Sequence, residues 1–84
     1  MVSIHKDGYE FKKSKRKNKK YDVYKNNKYI TSFGDNRYDQ YKDKIGLYSY
    51  KDHNDKERKR LYYARHGKKA DPESAKYFSH KYLW

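Results

Sequence analysis

YDVYKNNKYITSF, residues 21–33, sets two β-rich runs on either side of Asn26-Asn27. Asparagine tolerates the positive φ that a type I′ turn requires, so the segment predicts a hairpin with a two-residue loop. In that register Tyr24 faces Tyr29 and Val23 faces Ile30. Tyr21, Val23 and Ile30 then share one face, and Tyr24, Tyr29 and Phe33 share the other. Upstream, Tyr9-Glu10-Phe11 alternates in the same way, and KKSKRKNKK (12–20) lies between it and Tyr21 with seven basic residues in nine. The run therefore reads as a basic hairpin loop, and residues 9–33 as a three-stranded antiparallel meander preceded by a flexible lead, residues 1–8.

Downstream the pattern turns helical. Asp35 is a candidate N-cap, Tyr38, Tyr41 and Ile45 follow at helical spacing, and Gly46 suits a C′ position. Residues 47–52 form a connector. Asn54 with Glu57 looks like a capping box opening a second helix that stops at Gly67. Asp71-Pro72-Glu73 opens a third, with proline at N1 and Ala75, Phe78 and Tyr82 along one stripe, and Trp84 closes the sequence. The expected fold is one α+β domain over residues 1–84: a small three-stranded antiparallel meander followed by three short helices, the helical part spanning 35–84.

Eighty-four residues suffice for one small domain with marginal burial. Only eleven are Leu, Ile, Val or Phe, a fraction low enough to suggest disorder, but twelve tyrosines and a tryptophan can build an aromatic core instead. Tyr38, Tyr41, Tyr62 and Tyr82 are assigned to that core; Tyr24 and Tyr29 could serve it or act as base-stacking platforms. There is no cysteine, which rules out disulfides and Cys-based zinc sites and suits an intracellular protein. No membrane-spanning run or signal-peptide core is expected.

Charge is the strongest functional signal: 23 Lys and Arg against 11 Asp and Glu give a net +12. A field of that sign concentrates polyanions, nucleic acid first, with acidic protein or membrane surfaces as alternatives. In HNDKERKRLYYARH (53–66), Arg58, Leu61, Tyr62 and Arg65 fall on one helical face and Lys56, Lys59, Arg60 and Tyr63 on the opposite one. Arginines beside Leu61 and Tyr62 suggest a structural face, joined in that role by Phe78, Tyr82 and Trp84. The expected phosphate contacts are Lys12, Lys13, Lys15, Arg16, Lys17, Lys19 and Lys20 in the hairpin loop, with Lys56, Lys59, Arg60, Lys68 and Lys69 on and after the helix. His53 and His66 sit at opposite ends of that helix and cannot share one ion. Asp52, His53 and Asp55 are the only hint of a metal-dependent nuclease, and helix capping explains them better. Neither cofactor nor metal is expected.

The ordered set Phe33-Gly34, Tyr38, Tyr41, His53-x-Asp55-x-x-Arg58-x-x-x-Tyr62-x-x-Arg65-His66, then Ser74-Ala75, Tyr77-Phe78-Ser79 and Leu83-Trp84 resembles a family of small basic proteins. These are encoded by nucleo-cytoplasmic large DNA viruses and related phages. The likeness covers roughly residues 20–84. It departs at Lys44-Ile45-Gly46-Leu47-Tyr48-Ser49, which looks inserted before the His-x-Asp stretch. The resemblance transfers no activity. It implies a viral protein found in the virion or inside the infected host cell, and the Lys, Asn and Tyr richness also suits an AT-rich viral genome. The leading expectation is a non-enzymatic protein that binds nucleic acid, DNA more than RNA, mainly through phosphates. The alternatives are a minor capsid or cement protein contacting viral capsid protein, and a small nuclease; the oligomeric state is left open.

Overall fold

A computed structural model describes residues 3–84 of the chain. The elements are β1 (Ser3–Lys6), β2 (Tyr9–Lys13), β3 (Tyr21–Lys25), β4 (Lys28–Phe33), α1 (Lys56–His66) and α2 (Ala75–Tyr82), with a 3-10 turn at Ser49–Lys51. The strands form one antiparallel sheet in the order β1-β2-β3-β4. The domain is thus α+β, but with four strands and two helices where three and three were expected.

The extra strand lies in the segment expected to be a flexible lead, of which residues 1 and 2 fall outside the described residues. Asp7-Gly8, at φ 55° and 84°, makes a tight turn that pairs Lys6 with Tyr9 and Ile4 with Phe11. Asp-Gly between alternating runs is a strong hairpin signal, and it outweighs the shortness of β1.

Asn26 and Asn27, both at positive φ, form the anticipated turn and pair Tyr24 with Tyr29. A bulge at Val23/Tyr24 then pairs Val23 with Thr31, so Ile30 is the extra residue. One inserted residue reverses the facing of everything beyond it. Phe33 therefore joins Tyr21 and Val23 in the core, where the simple alternation had placed it with Tyr24 and Tyr29. Phe11, Tyr21, Val23 and Phe33 pack beneath Phe78, Tyr82 and Leu83, with Ile45 and Tyr48 closing one end. Ring centroids of Phe11 and Tyr82 stand 4.9 Å apart and those of Phe33 and Phe78 5.6 Å, so α2 covers one face of the sheet.

No helix forms over 35–45. Asp35 accepts from the Arg37 N–H at 2.9 Å and grips the Arg37 side chain, closing a turn in place of a helix cap. The backbone N–H groups of Gln40, Lys42 and Lys44 donate to the carbonyls of Lys51, Leu83 and Tyr82. The segment runs as an irregular ribbon between the 3-10 turn and the C-terminus. Its polar side chains supply the reason: Gln40 and Asp43 are buried, and burying them requires partners that a solvent-facing helix would not provide. Gln40 receives the Lys20 ammonium on its carbonyl and donates its amide to the Tyr48 carbonyl at 2.8 Å and Asp52 Oδ1 at 2.6 Å. Asp43 accepts the Tyr21 hydroxyl and the N–H groups of Ile45 and Tyr48. Tyr38, expected in the core, is 64% exposed on this ribbon, and Tyr41 is half-buried.

Both helices start later than the sequence suggests. Asn54 is left-handed at φ 53°, and Asp55 is the cap of α1, accepting from the N–H groups of Glu57 and Arg58. Glu73 is left-handed at φ 60°, so Pro72 sits in a preceding turn and Ser74 caps α2 through the Tyr77 N–H at 3.1 Å. Gly67, at φ 75°, ends α1 as expected.

Gly34 combines a φ of +75° with close quarters: an added Cβ would meet Leu83 Cδ1 and Lys20 Cβ at 3.0 Å. Gly34→Ala should cost about 2 kcal/mol from backbone strain and overpacking together, and Gly46→Ala, where space is open, about 1 kcal/mol from strain alone. Urea unfolding of the two variants side by side checks that order.

Lys20 supplies a second test. Burial, reinforced by the Lys51 charge, lowers its pKa to about 8. Between that value and the ordinary lysine value near 10.4 the unfolded chain binds the extra proton, so this residue makes stability rise with pH in that window. Tyr9, raised to about 12 chiefly by its hydrogen bond to Glu73, and Tyr62, raised to about 12 by burial, oppose it once unfolded tyrosines ionise near pH 10. Tyr21, Tyr48, Tyr63 and Tyr82 are raised as well, so urea midpoints of the parent should climb from pH 8 to about pH 9 and fall above pH 10. Lys20→Met should lack the climb and keep the fall; parallel profiles would contradict the assignment.

Candidate nucleic-acid interface

The hairpin loop between β2 and β3 is closed by its own backbone. Ser14 N–H donates to the Lys20 carbonyl at 2.9 Å, and the Arg16 N–H reaches Ser14 Oγ at 3.0 Å. Lys13, Lys15, Arg16, Lys17 and Lys19 are exposed, and Lys12 is half-buried. Arg16 lies over the Tyr29 ring at 4.7 Å and Lys12 over Tyr24 at 5.0 Å, both on the face of the sheet turned away from α2. Ser32 holds Tyr29 from below: its hydroxyl donates to Asp22 and receives the Tyr29 hydroxyl at 2.8 Å. Lys13 instead crosses to the core side, over Tyr48 at 4.8 Å.

Lys20 has to be removed from the expected footprint. It is 2% exposed, and its ammonium is held by Gln40 inside the fold. Its place at the end of the loop, where the chain turns into β3 and packs against Gly34, explains the burial. A run of like residues does not reveal which member turns inward.

The structural face expected on α1 is also reversed in part. Arg58, Leu61 and Arg65 are exposed, and no residue of α1 is fully buried. The helix is fastened through Tyr62 and Tyr63. Tyr62 stacks on Trp84 with centroids 4.4 Å apart and planes 7° from parallel, and its hydroxyl lies 2.9 Å from His80 Nδ1. The Tyr63 hydroxyl donates to the His80 carbonyl, while His80 Nε2 sits 2.9 Å from the Gly67 carbonyl at the end of the helix. Burial holds the His80 pKa below its ordinary value, consistent with a neutral imidazole joining the two helices.

This anchoring turns the Lys-rich side of α1 toward Tyr41. Lys59 Nζ stands 4.5 Å from the Tyr41 ring centroid, and Lys56, Lys59, Arg60, Tyr63 and Lys68 join Tyr41 around a groove of about 570 Å³. Lys68 continues into a second depression of about 950 Å³ that includes Lys69, Lys76, Tyr77, His80 and Lys81. The structure thus gathers Lys56, Lys59, Arg60, Lys68 and Lys69 and adds Lys76 and Lys81 from α2, which the sequence reading missed. Their signal was present: both flank the Ala75, Phe78, Tyr82 stripe as the solvent-facing part of an amphipathic helix. Arg60 is partly neutralised, because Glu57 three residues earlier receives its guanidinium. Lys12 of β2 and Arg16 of the loop lie across the sheet from this groove, so the expected footprint divides into two surfaces.

Asp52, His53 and Asp55 each have a partner within the fold. Asp55 is a helix cap, and Asp52 accepts from Gln40 and from the Asp43 N–H at 2.7 Å. His53 accepts the Asp55 N–H at Nδ1 and packs between Tyr41 and Trp84, and burial lowers its pKa. Among the described residues no three His, Cys, Asp or Glu side chains are placed to share a metal ion. None of the described helices is long and apolar enough to cross a membrane.

Comparison with protein-family models, curated proteins and solved structures finds no match to this chain, so the functional reading rests on the arrangement of its own residues.

Proposed function

We propose that this protein is a non-enzymatic nucleic-acid-binding protein that holds the phosphate backbone in the groove along α1 and α2. One observation carries the reading: Lys56, Lys59, Arg60, Lys68, Lys69, Lys76 and Lys81 border two depressions that share Lys68 and are lined also by Tyr41, Tyr63 and Tyr77. Long, mobile ammonium groups around a concave surface suit phosphates, which need charge and reach more than fixed geometry. The surrounding tyrosine rings provide apolar ground for sugars without specifying a base. The exposed loop cations Lys15, Arg16, Lys17 and Lys19 add long-range attraction from the other side of the sheet. DNA is the favoured partner, and the resemblance to small basic proteins of large DNA viruses supports a viral origin with action on the viral genome in the infected cell or virion.

Binding should be strongly salt-dependent. With about five phosphates neutralised, log K against log salt on duplex DNA should slope near −4 to −5. Lys56→Glu with Lys59→Glu and Lys76→Glu should weaken binding at least about tenfold and flatten the slope, without changing the circular-dichroism spectrum, because none of the three is buried. Affinity indifferent to salt between low and physiological ionic strength would defeat the proposal.

A further inference from the structure

The opposite side of α1 borders a groove of different chemistry. About 630 Å³ in volume, it runs between the 35–39 turn and the helix, and Tyr38, Arg58, Leu61, Arg65 and Trp84 line it. Tyr38 is 64% exposed and Leu61 47%, so neither serves the core. Tyr62 and Trp84, stacked on each other, also line it. Arg58 and Arg65 stand two helical turns apart on the stripe that carries Leu61. Neither guanidinium joins an ion pair among the described residues. Two carboxylates also line the groove, but each has a cation at hand. Arg37 grips Asp35 and holds its carboxyl at about 2, and Lys51 stands 3.9 Å from Asp39.

A groove that sets exposed aromatic surface beside guanidinium groups with no ion pair among the described residues is matched by a ligand with a flat π-face and an adjoining anion. A base inside a duplex has both faces covered by its neighbours, whereas an unpaired nucleotide offers its base face and phosphate together. We propose that this groove takes an unpaired nucleotide of a single-stranded nucleic acid. Its base lies on Tyr38 and the wall of Leu61 and Trp84, and its phosphate is held by Arg58 and Arg65. The proposal rests on the nucleic-acid reading above and adds to it a second site that separates single strands from duplexes.

Trp84 is the chain's single tryptophan, so its fluorescence reports on this groove and not on the lysine-lined one. The full chain is titrated with an oligothymidylate of about ten nucleotides, with a duplex of the same length, and with an acidic tyrosine-containing peptide. The oligothymidylate should quench Trp84 emission and the duplex should not. Tyr38→Ala should weaken oligothymidylate binding about tenfold and leave duplex binding unchanged. Arg58→Ala with Arg65→Ala should make the single-strand salt slope shallower by about 0.7, the share of one phosphate. These three side chains are exposed, and an unchanged urea midpoint confirms that the variants fold. Single-strand binding without quenching, or equal loss on single strand and duplex in Tyr38→Ala, would overturn this site while leaving phosphate binding intact. Quenching by the peptide and not by the oligothymidylate would assign the groove to a protein partner and overturn it as well. No binding to any nucleic acid would remove both readings.

Discussion

Gln40 is buried, and the rest of the molecule is arranged around satisfying its side-chain amide. Its carbonyl takes the Lys20 ammonium, and its NH₂ group reaches the Tyr48 carbonyl and the Asp52 carboxylate. Asp52 also receives the Asp43 N–H, and Asp43 in turn accepts the Tyr21 hydroxyl. Each member left without its partner would cost a desolvation penalty of about 1–3 kcal/mol, so the network operates as a unit. Its geometry forbids a helix over 35–45, because the Gln40, Lys42 and Lys44 N–H groups must point to Lys51, Leu83 and Tyr82. That in turn fixes the C-terminus. Leu83 packs in the core, and Trp84 is left in position to stack on Tyr62 and hold α1. A polar constraint at one end of the sheet thereby positions a helix that has no buried residue of its own.

Tyrosine performs two tasks that larger domains divide between residue types. With so few aliphatic residues, the rings of Tyr21 and Tyr82 fill core volume beside Phe11, Phe33 and Phe78. Their hydroxyls then reach across elements. Tyr21 donates to Asp43, Tyr82 to Asp7 in the first turn, and Tyr9 to Glu73 before α2, while Tyr62 pairs with His80. A net hydrogen bond contributes about 1 kcal/mol, and edge-to-face ring pairs add a similar amount beyond burial. Such a core is directional, whereas an aliphatic one is not. Each hydroxyl specifies one partner, which compensates for the weak shape specification of so small an apolar volume.

What the sequence disclosed follows from how local each determinant is. The Asn26-Asn27 turn, the Gly67 stop and the Phe78–Tyr82 stripe depend on neighbours within four residues, and all three are present. Asp7-Gly8 is equally local, a turn signal that the expectation of a flexible lead over residues 1–8 leaves unused. The bulge that turns Phe33 inward has no local signature, because it answers to packing against Phe78 and Tyr21. Lys20 and Gln40 lie twenty residues apart and resemble their exposed neighbours in composition, so their pairing could not be read from spacing. The same limit governs the site. The Lys-rich face of α1 was readable from periodicity, but the direction in which the helix presents it depends on Tyr62, Tyr63 and Trp84. The arginine face was read as structural because Leu61 and Tyr62 flank it; only Tyr62 packs inward, leaving Arg58 and Arg65 to solvent.

The division of charge gives the two grooves their separate characters. Folding takes Lys20 inside and engages Arg37 and Arg60 with Asp35 and Glu57, and most of the chain's net +12 is spread over a small surface where it repels itself. Lysines collect where the surface is concave and wide, between α1, Tyr41 and α2, and there the attraction is one of field strength. Arg58 and Arg65, without an ion pair among the described residues, lie beside aromatic rings, where a planar guanidinium can combine stacking with paired hydrogen bonds. A polyanion seated in the first groove would relieve the self-repulsion of the folded state, and binding and stability would then be coupled through the same charges. A ligand in the second would engage Trp84, whose stacking on Tyr62 fastens α1. Occupancy there would tighten the attachment of the helix that also carries Lys56 and Lys59, and so would favour the lysine-lined groove without any change of fold.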